Sequence, residues 1–185
     1  MTSRVFGSVA ASPDDVRRVL PGDDLVPAAD VVMDRAFDID APPEAVWPWF
    51  CQLGKRRAGW YLPRAVERFV PVSRRGLRRL DPALVAEARV GHVIPDWGGR
   101  HATFEIAFLD PSRALVHTTT RGRTRGSWAI VLTAYDAPQG RGTHVQLRLR
   151  LAPVKRPWLA RTFGEAIDAA TVAGLAAGVR ERVAD

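Results

Sequence analysis

Four histidines, His92, His101, His117 and His144, are the side chains best suited to exchanging a proton near neutral pH, and their spacing builds no catalytic or metal-binding set. No two of them fall at i,i+4 on one helix, and no HExxH run is present. An activated nucleophile with its base, a carboxylate pair and a phosphate-cradling loop are likewise not legible, because Gly98-Gly99 and Gly140-Arg141-Gly142 lack nucleotide-loop spacing and read as turns. No catalytic residue, metal ligand or cofactor is therefore assigned. His144 alternates with Arg148 and Arg150 and is expected in solvent. His117 alternates with Leu115 and Thr119 and is expected inward. A neutral imidazole there can orient a polar group of a ligand or act as a general base, although a hydrogen-bonded structural histidine is the commoner outcome. Glu105, between Phe104 and Ile106, is expected to face outward.

What remains is an aromatic set, Trp60, Tyr61, Trp97, Phe104, Phe108 and Trp128. Side chains of this kind line small-molecule pockets, with a few polar groups fixing orientation, and every one of them is also ordinary core material for a domain of this size.

The elements that must position these groups follow from periodicity. Ser12-Pro13-Asp14-Asp15 is a helix start and Pro21-Gly22 a stop, so residues 1 to 28 read as an extension with one short helix, ahead of a domain over 29 to 185. Residues 29 to 40 alternate as a half-buried strand, with Met33, Arg35, Phe37 and Ile39 on one face. A helix begins at Pro42-Pro43-Glu44 and runs to about Leu53, with Gly54 at its C-terminal boundary. Residues 55 to 90 read as irregular, with short helices near 64 to 69 and after Pro82. Period-two segments then recur near 92 to 97, 102 to 109, 114 to 121, 127 to 136 and 143 to 152, joined by connections too short for parallel pairing. In the last of these, Val145, Leu147, Leu149 and Leu151 are expected to face the core, and the alternate residues water. After Pro157 one long helix is expected to about Val183, with Phe163, Ile167, Ala170 and Gly174 turned inward. Gly164, Gly174 and Gly178 interrupt it, each costing about 1 kcal/mol relative to alanine. Either the helix packs closely at these points or it leaves volume beneath for a ligand.

Composition narrows the class. The chain has 185 residues, 46% hydrophobic and 25% charged, which suits one globular core and excludes a disordered or fibrous chain. Cys51 is the single cysteine, so no internal disulfide framework exists and a buried small hydrophobe is expected. The first fifteen residues contain no signal-peptide core and no later stretch is a membrane span, which points to the cytoplasm. The net charge of +7 invites a nucleic-acid or anionic-membrane reading. However, the 25 arginines are dispersed in short clusters with no reader motif, so a solvated basic surface is expected, with weak anionic-surface contact at most and no nucleic-acid partner.

The junction Ile39-Asp40-Ala41-Pro42-Pro43-Glu44-Ala45-Val46-Trp47 resembles the strand-to-helix signature of the START-related superfamily, also called SRPBCC, which includes polyketide cyclases and lipid-transfer domains. Leu20-Pro21-Gly22-Asp23-Asp24, Gly59-Trp60-Tyr61, Val90-Gly91-x-x-Ile94-Pro95 and Ser127-Trp128 are similar to a bacterial subgroup of it. His92 departs from that subgroup, which carries an acidic residue there. The resemblance implies an α+β helix-grip fold: a curved antiparallel sheet of six or seven strands around a long C-terminal helix, with a helical insertion between strands 1 and 2. It also implies an internal cavity for a hydrophobic or aromatic small molecule, in a carrier or sensor. The expected lining is Trp60, Tyr61, Trp97, Phe104, Phe108, His117, Thr119, Trp128, Phe163, Ile167, Ala170 and Gly174. A polyketide cyclase or aromatase, and an interaction module using the basic face, are the alternatives.

Overall fold

Alternation of apolar and polar side chains makes six strands: β1 (Val31–Ile39), β2 (Val93–Pro95), β3 (Thr103–Asp110), β4 (Ala114–Arg121), β5 (Thr124–Ala137) and β6 (Gly140–Ala152). The computed structural model describes residues 8–96, 101–138 and 140–185. All neighbours are antiparallel, in the order β1-β6-β5-β4-β3-β2. β2 to β6 form a meander and β1 closes against β6, so the first strand lies beside the last. The sheet is curved, and its inner face carries Phe37, Ile130, Val145 and Leu147, all buried.

Between β1 and β2 lies the helical insertion of α2 (Pro43–Gln52), α3 (Arg64–Glu67) and α4 (Pro82–Ala86). Pro43 opens α2 where a missing N–H costs nothing, Glu44 sits in its first turn, and Val46, Trp47, Trp49, Phe50 and Cys51 are buried. Burial pushes the Cys51 thiol pKa up, as expected of a packed, unreactive cysteine. Gly54 follows the helix at φ +146°, and a Cβ there would come within 2.7 Å of Ile94.

The outer face of β6 is covered, contrary to the expectation that it meets water. Helix α1 (Pro13–Arg17), closed by a Ser12–Asp15 capping box, and the chain to Val26 lie across it. Arg148, 4% exposed, donates to the carbonyls of Asp15, Val16 and Arg18 and pairs with Asp23 at 2.8 Å and Asp34 at 2.7 Å. His144 is part of the same layer, with Asp38 at 2.6 Å and Asp15 at 3.1 Å from its two ring nitrogens.

The terminal helix differs from expectation in two ways. It is α5 (Pro157–Leu159), a π-helical turn (Ala160–Gly164) and α6 (Glu165–Ala184) instead of one continuous α-helix. Its inward stripe is Val172, Leu175, Ala176 and Val179, whereas Phe163 and Ile167 are 69% and 67% exposed and Ala170 also faces solvent. The cause is Arg35, on the core-facing side of β1 and only 7% exposed. It draws Glu165 (2.6 Å) and Asp168 (2.9 Å) toward the sheet, and this rotates the Phe163–Ile167–Ala170 stripe outward.

The helix glycines mark close approach. A Cβ on Gly178 would lie 2.6–2.9 Å from the Tyr61 and Leu62 backbone, and one on Gly174 would lie 2.8 Å from the Leu62 side chain. The 59–63 loop occupies the space those glycines leave, so they hold no ligand volume. Among the described residues no helix is long and apolar enough to cross a membrane. The α+β architecture is a helix-grip fold.

Candidate functional site

The inner face of β3 to β6, together with Trp60 and α6, lines a half-open cavity of about 200 Å³. β6 contributes Leu149 and Leu151, β5 Trp128, β3 Phe104, α6 Val172, and the loop after α2 Trp60. Alternation along each strand places these side chains on one face. Trp60 is held there by its indole N–H, which donates to the Thr171 carbonyl at 3.3 Å. Its ring stacks on Trp128 with centroids 6.2 Å apart, and Phe104 tilts against Trp128 at 6.0 Å. The result is a continuous aromatic wall.

Two polar side chains interrupt it. His117 and Thr119 are neighbours on the inner face of β4, 4% and 7% exposed. The His117 ring lies 5.4 Å from Trp128 and 5.9 Å, edge-on, from Phe104. Burial drives its pKa down to about 4 against a weaker upward pull from the Trp128 backbone, so the ring is neutral at physiological pH. Neither His117 Nδ1 nor Thr119 Oγ1 has a hydrogen-bond partner of normal geometry.

Acidic groups at the cavity margin are each matched to an arginine. Asp96, 4% exposed, pairs with Arg121, whose guanidinium also lies 5.9 Å over Phe104. Asp168 pairs with Arg35. Burial raises the Asp168 pKa and nearby Glu165 adds to the rise, while Arg35 opposes it.

The structure thus gathers Trp60, Phe104, His117, Thr119 and Trp128 around one space. The other expected lining residues among those described lie elsewhere. Tyr61 is fully buried in the core, its hydroxyl donating to the Trp49 carbonyl at 2.9 Å and accepting from Gln52 at 3.0 Å. Those bonds tie the loop to α2, and burial raises the phenol pKa. Gly174 packs on Leu62. Phe163, Ile167 and Ala170 are in solvent. Phe108 is turned out by a register shift between Ile106 and Phe108, and it lines a separate groove with Glu44, Asp110 and Arg141. Trp97 lies outside the described residues.

Sequence reasoning missed Leu53, Ile94, Leu149, Leu151, Asp96, Arg121 and Asp168 as lining residues. Leu149 and Leu151 carried a signal, since their strand face was already read as inward. For Asp168 the signal was Arg35, a cation on an apolar strand face that required an acidic partner. Asp96 and Arg121 carried none.

His92, outside the cavity, is an acceptor. Arg57 can only donate, and its Nη1 lies 3.0 Å from His92 Nε2, which therefore carries no proton. Burial and Arg57 both lower the His92 pKa accordingly. Among the described residues, no group of three or more His, Cys, Asp or Glu side chains is arranged to hold a metal ion.

No known family profile matches the chain, and no curated protein matches it by sequence. Solved structures resemble it in fold. A protein from Rhodobacter sphaeroides superposes with a TM-score of 0.50 at 12% identity, over 85% of this chain and 95% of its own. Protein MLL2253 from Mesorhizobium loti gives 0.49 at 15% identity, over 83% and 97%. CalU16 from Micromonospora echinospora gives 0.45 at 14% identity, over 83% of each chain.

Proposed function

We propose that the protein is a cytoplasmic carrier or sensor that binds a small apolar or aromatic molecule in the cavity between β3–β6, Trp60 and α6, and that it belongs to the START-related superfamily its strand-to-helix junction resembles. The observation that carries this reading is an aromatic-walled cavity on the inner face of the grip, where two buried polar atoms, His117 Nδ1 and Thr119 Oγ1, make no hydrogen bond of normal geometry. Pockets for small molecules combine these features, apolar walls with a few convergent polar groups.

Size favours a compact ligand. An apolar protein cavity of about 150 Å³ accommodates benzene, so a half-open pocket of about 200 Å³ seats one or two fused rings against its aromatic wall. The cyclase alternative requires acid–base chemistry, and a histidine with a pKa of about 4 is a weak base at neutral pH.

Thermal denaturation with naphthalene and related one- and two-ring aromatics tests the reading. Binding to the native state alone predicts a rise in Tm of about 5–10 °C at a hundredfold excess over Kd, growing with the logarithm of ligand concentration. A flat response across that panel would remove the basis for the proposal.

A further inference from the structure

His117 Nδ1 and Thr119 Oγ1 are both buried, both on the inner face of β4, and both without a hydrogen-bond partner. Buried polar atoms in native proteins are nearly always paired, and leaving two side by side is costly unless something else completes them. Gly126, opposite Thr119 on β5, lets Leu151 and Thr119 pack closely beside it, because a Cβ there would lie 2.8 Å from Leu151 and 3.1 Å from the Thr119 methyl.

Resting on the cavity reading above, we propose that the ligand is a neutral aromatic molecule of one or two rings bearing a hydroxyl group, and that this hydroxyl is held between His117 Nδ1 and Thr119 Oγ1. The ring system lies against Trp60, Phe104 and Trp128.

The choice of a hydroxyl follows from hydrogen-bond inventories. A neutral imidazole nitrogen is either a bare acceptor or an N–H donor, and a threonine hydroxyl is both donor and acceptor. A ligand hydroxyl donates to Nδ1 in one tautomer and accepts from it in the other, and in either case its remaining capacity matches Thr119. A ketone oxygen accepts only, so it serves one tautomer. A carboxylate is refused on electrostatic grounds. Among the described lining residues the one cation is Arg121, already paired with Asp96, while Asp168 adds a second acid to the margin. An anionic ligand would face these carboxylates without an uncommitted countercharge.

Three probes sharing one ring system test this at pH 7: naphthalene, 2-naphthol and 2-naphthoate, titrated calorimetrically into the wild-type protein. 2-Naphthol is expected to bind about tenfold tighter than naphthalene, the value of one or two well-made hydrogen bonds, and 2-naphthoate more weakly than either. Because naphthol is the more water-loving of the first two, apolar burial alone would rank them the other way. Thr119→Val, nearly isosteric, should reduce the preference about threefold or more while leaving naphthalene affinity unchanged and raising the Tm of the unliganded protein. His117→Phe should reduce the preference as well.

Equal affinity for naphthol and naphthalene would overturn the hydroxyl assignment and leave the cavity reading standing, with water as the partner of the two polar atoms. Tightest binding of 2-naphthoate would overturn it in favour of an anion site. Failure of all three probes would remove the cavity reading and the hydroxyl assignment together. The wild-type ranking decides among these outcomes without any variant having to fold.

Discussion

Asp168 of α6 lies 2.9 Å from Arg35 of β1, and this contact sets the rotation of the terminal helix on the sheet. Arg35 occupies a strand position that alternation assigns to the core, so its charge must be met from inside. Glu165 and Asp168, three residues apart on the helix, meet it, and the apolar residues between them turn outward. Replacing Arg35 with methionine leaves the half-buried Asp168 without its cation. The expected loss is about 3 kcal/mol, measured by chemical denaturation. An unchanged midpoint would show that the pair does not hold the helix.

Phe163 and Ile167 stand in solvent despite helical spacing that suggests a core stripe. Phe163→Ser and Ile167→Ser should each change stability by no more than about 0.5 kcal/mol. Losses typical of a buried large apolar side chain, about 2–5 kcal/mol, would place that stripe against the sheet after all.

The two glycines facing the 59–63 loop should respond differently to the same substitution. At Gly178 a new Cβ meets the Tyr61–Leu62 backbone at 2.6–2.9 Å, so Gly178→Ala should destabilise by about 1–3 kcal/mol. At Gly174 it meets only the flexible end of Leu62. Gly174→Ala should therefore be near neutral, the gain in helix propensity of about 1 kcal/mol offsetting the repacking. Equal effects in thermal melts would contradict this account of the loop.

His117 makes stability pH-dependent in a defined direction. The unfolded ring titrates near 6.5 and the native ring near 4. Between those values the unfolded chain takes up a proton that the native protein does not, so stability is fully present above pH 6.5 and falls as pH drops toward 4. The loss attributable to this residue is about 3 kcal/mol. The stability lost across that window should differ between wild type and His117→Phe by this amount; equal losses would mean the ring ionises freely in the native state.

Much of the framework was legible because it rests on local pattern. The strand alternations from Val31 to Ile39 and from Thr143 to Leu151, the proline-led start of α2 and the turn chemistry between strands each report on backbone geometry within a few residues. Trp60, Phe104, His117, Thr119 and Trp128 could be nominated for the same reason: alternation or an aromatic cluster marked each. The errors are long-range. Phe108 left the inner face through a bulge after Ile106 that no residue type announces. The rotation of α6 depends on Arg35, some 130 residues earlier in the chain. The outer face of β6 is dry because Arg148 collects carbonyls from Asp15 to Arg18, a pairing that spacing along the sequence does not encode.

The central claim is that a small aromatic molecule occupies the space beside His117 and Thr119. A heteronuclear NMR titration with naphthalene measures this directly. Saturable shifts confined to the indole N–H groups of Trp60 and Trp128 and the amides of His117, Thr119, Leu151 and Val172 are the predicted result. Saturable shifts clustered instead around Phe108 and Arg141, or no saturable shift anywhere, would contradict it.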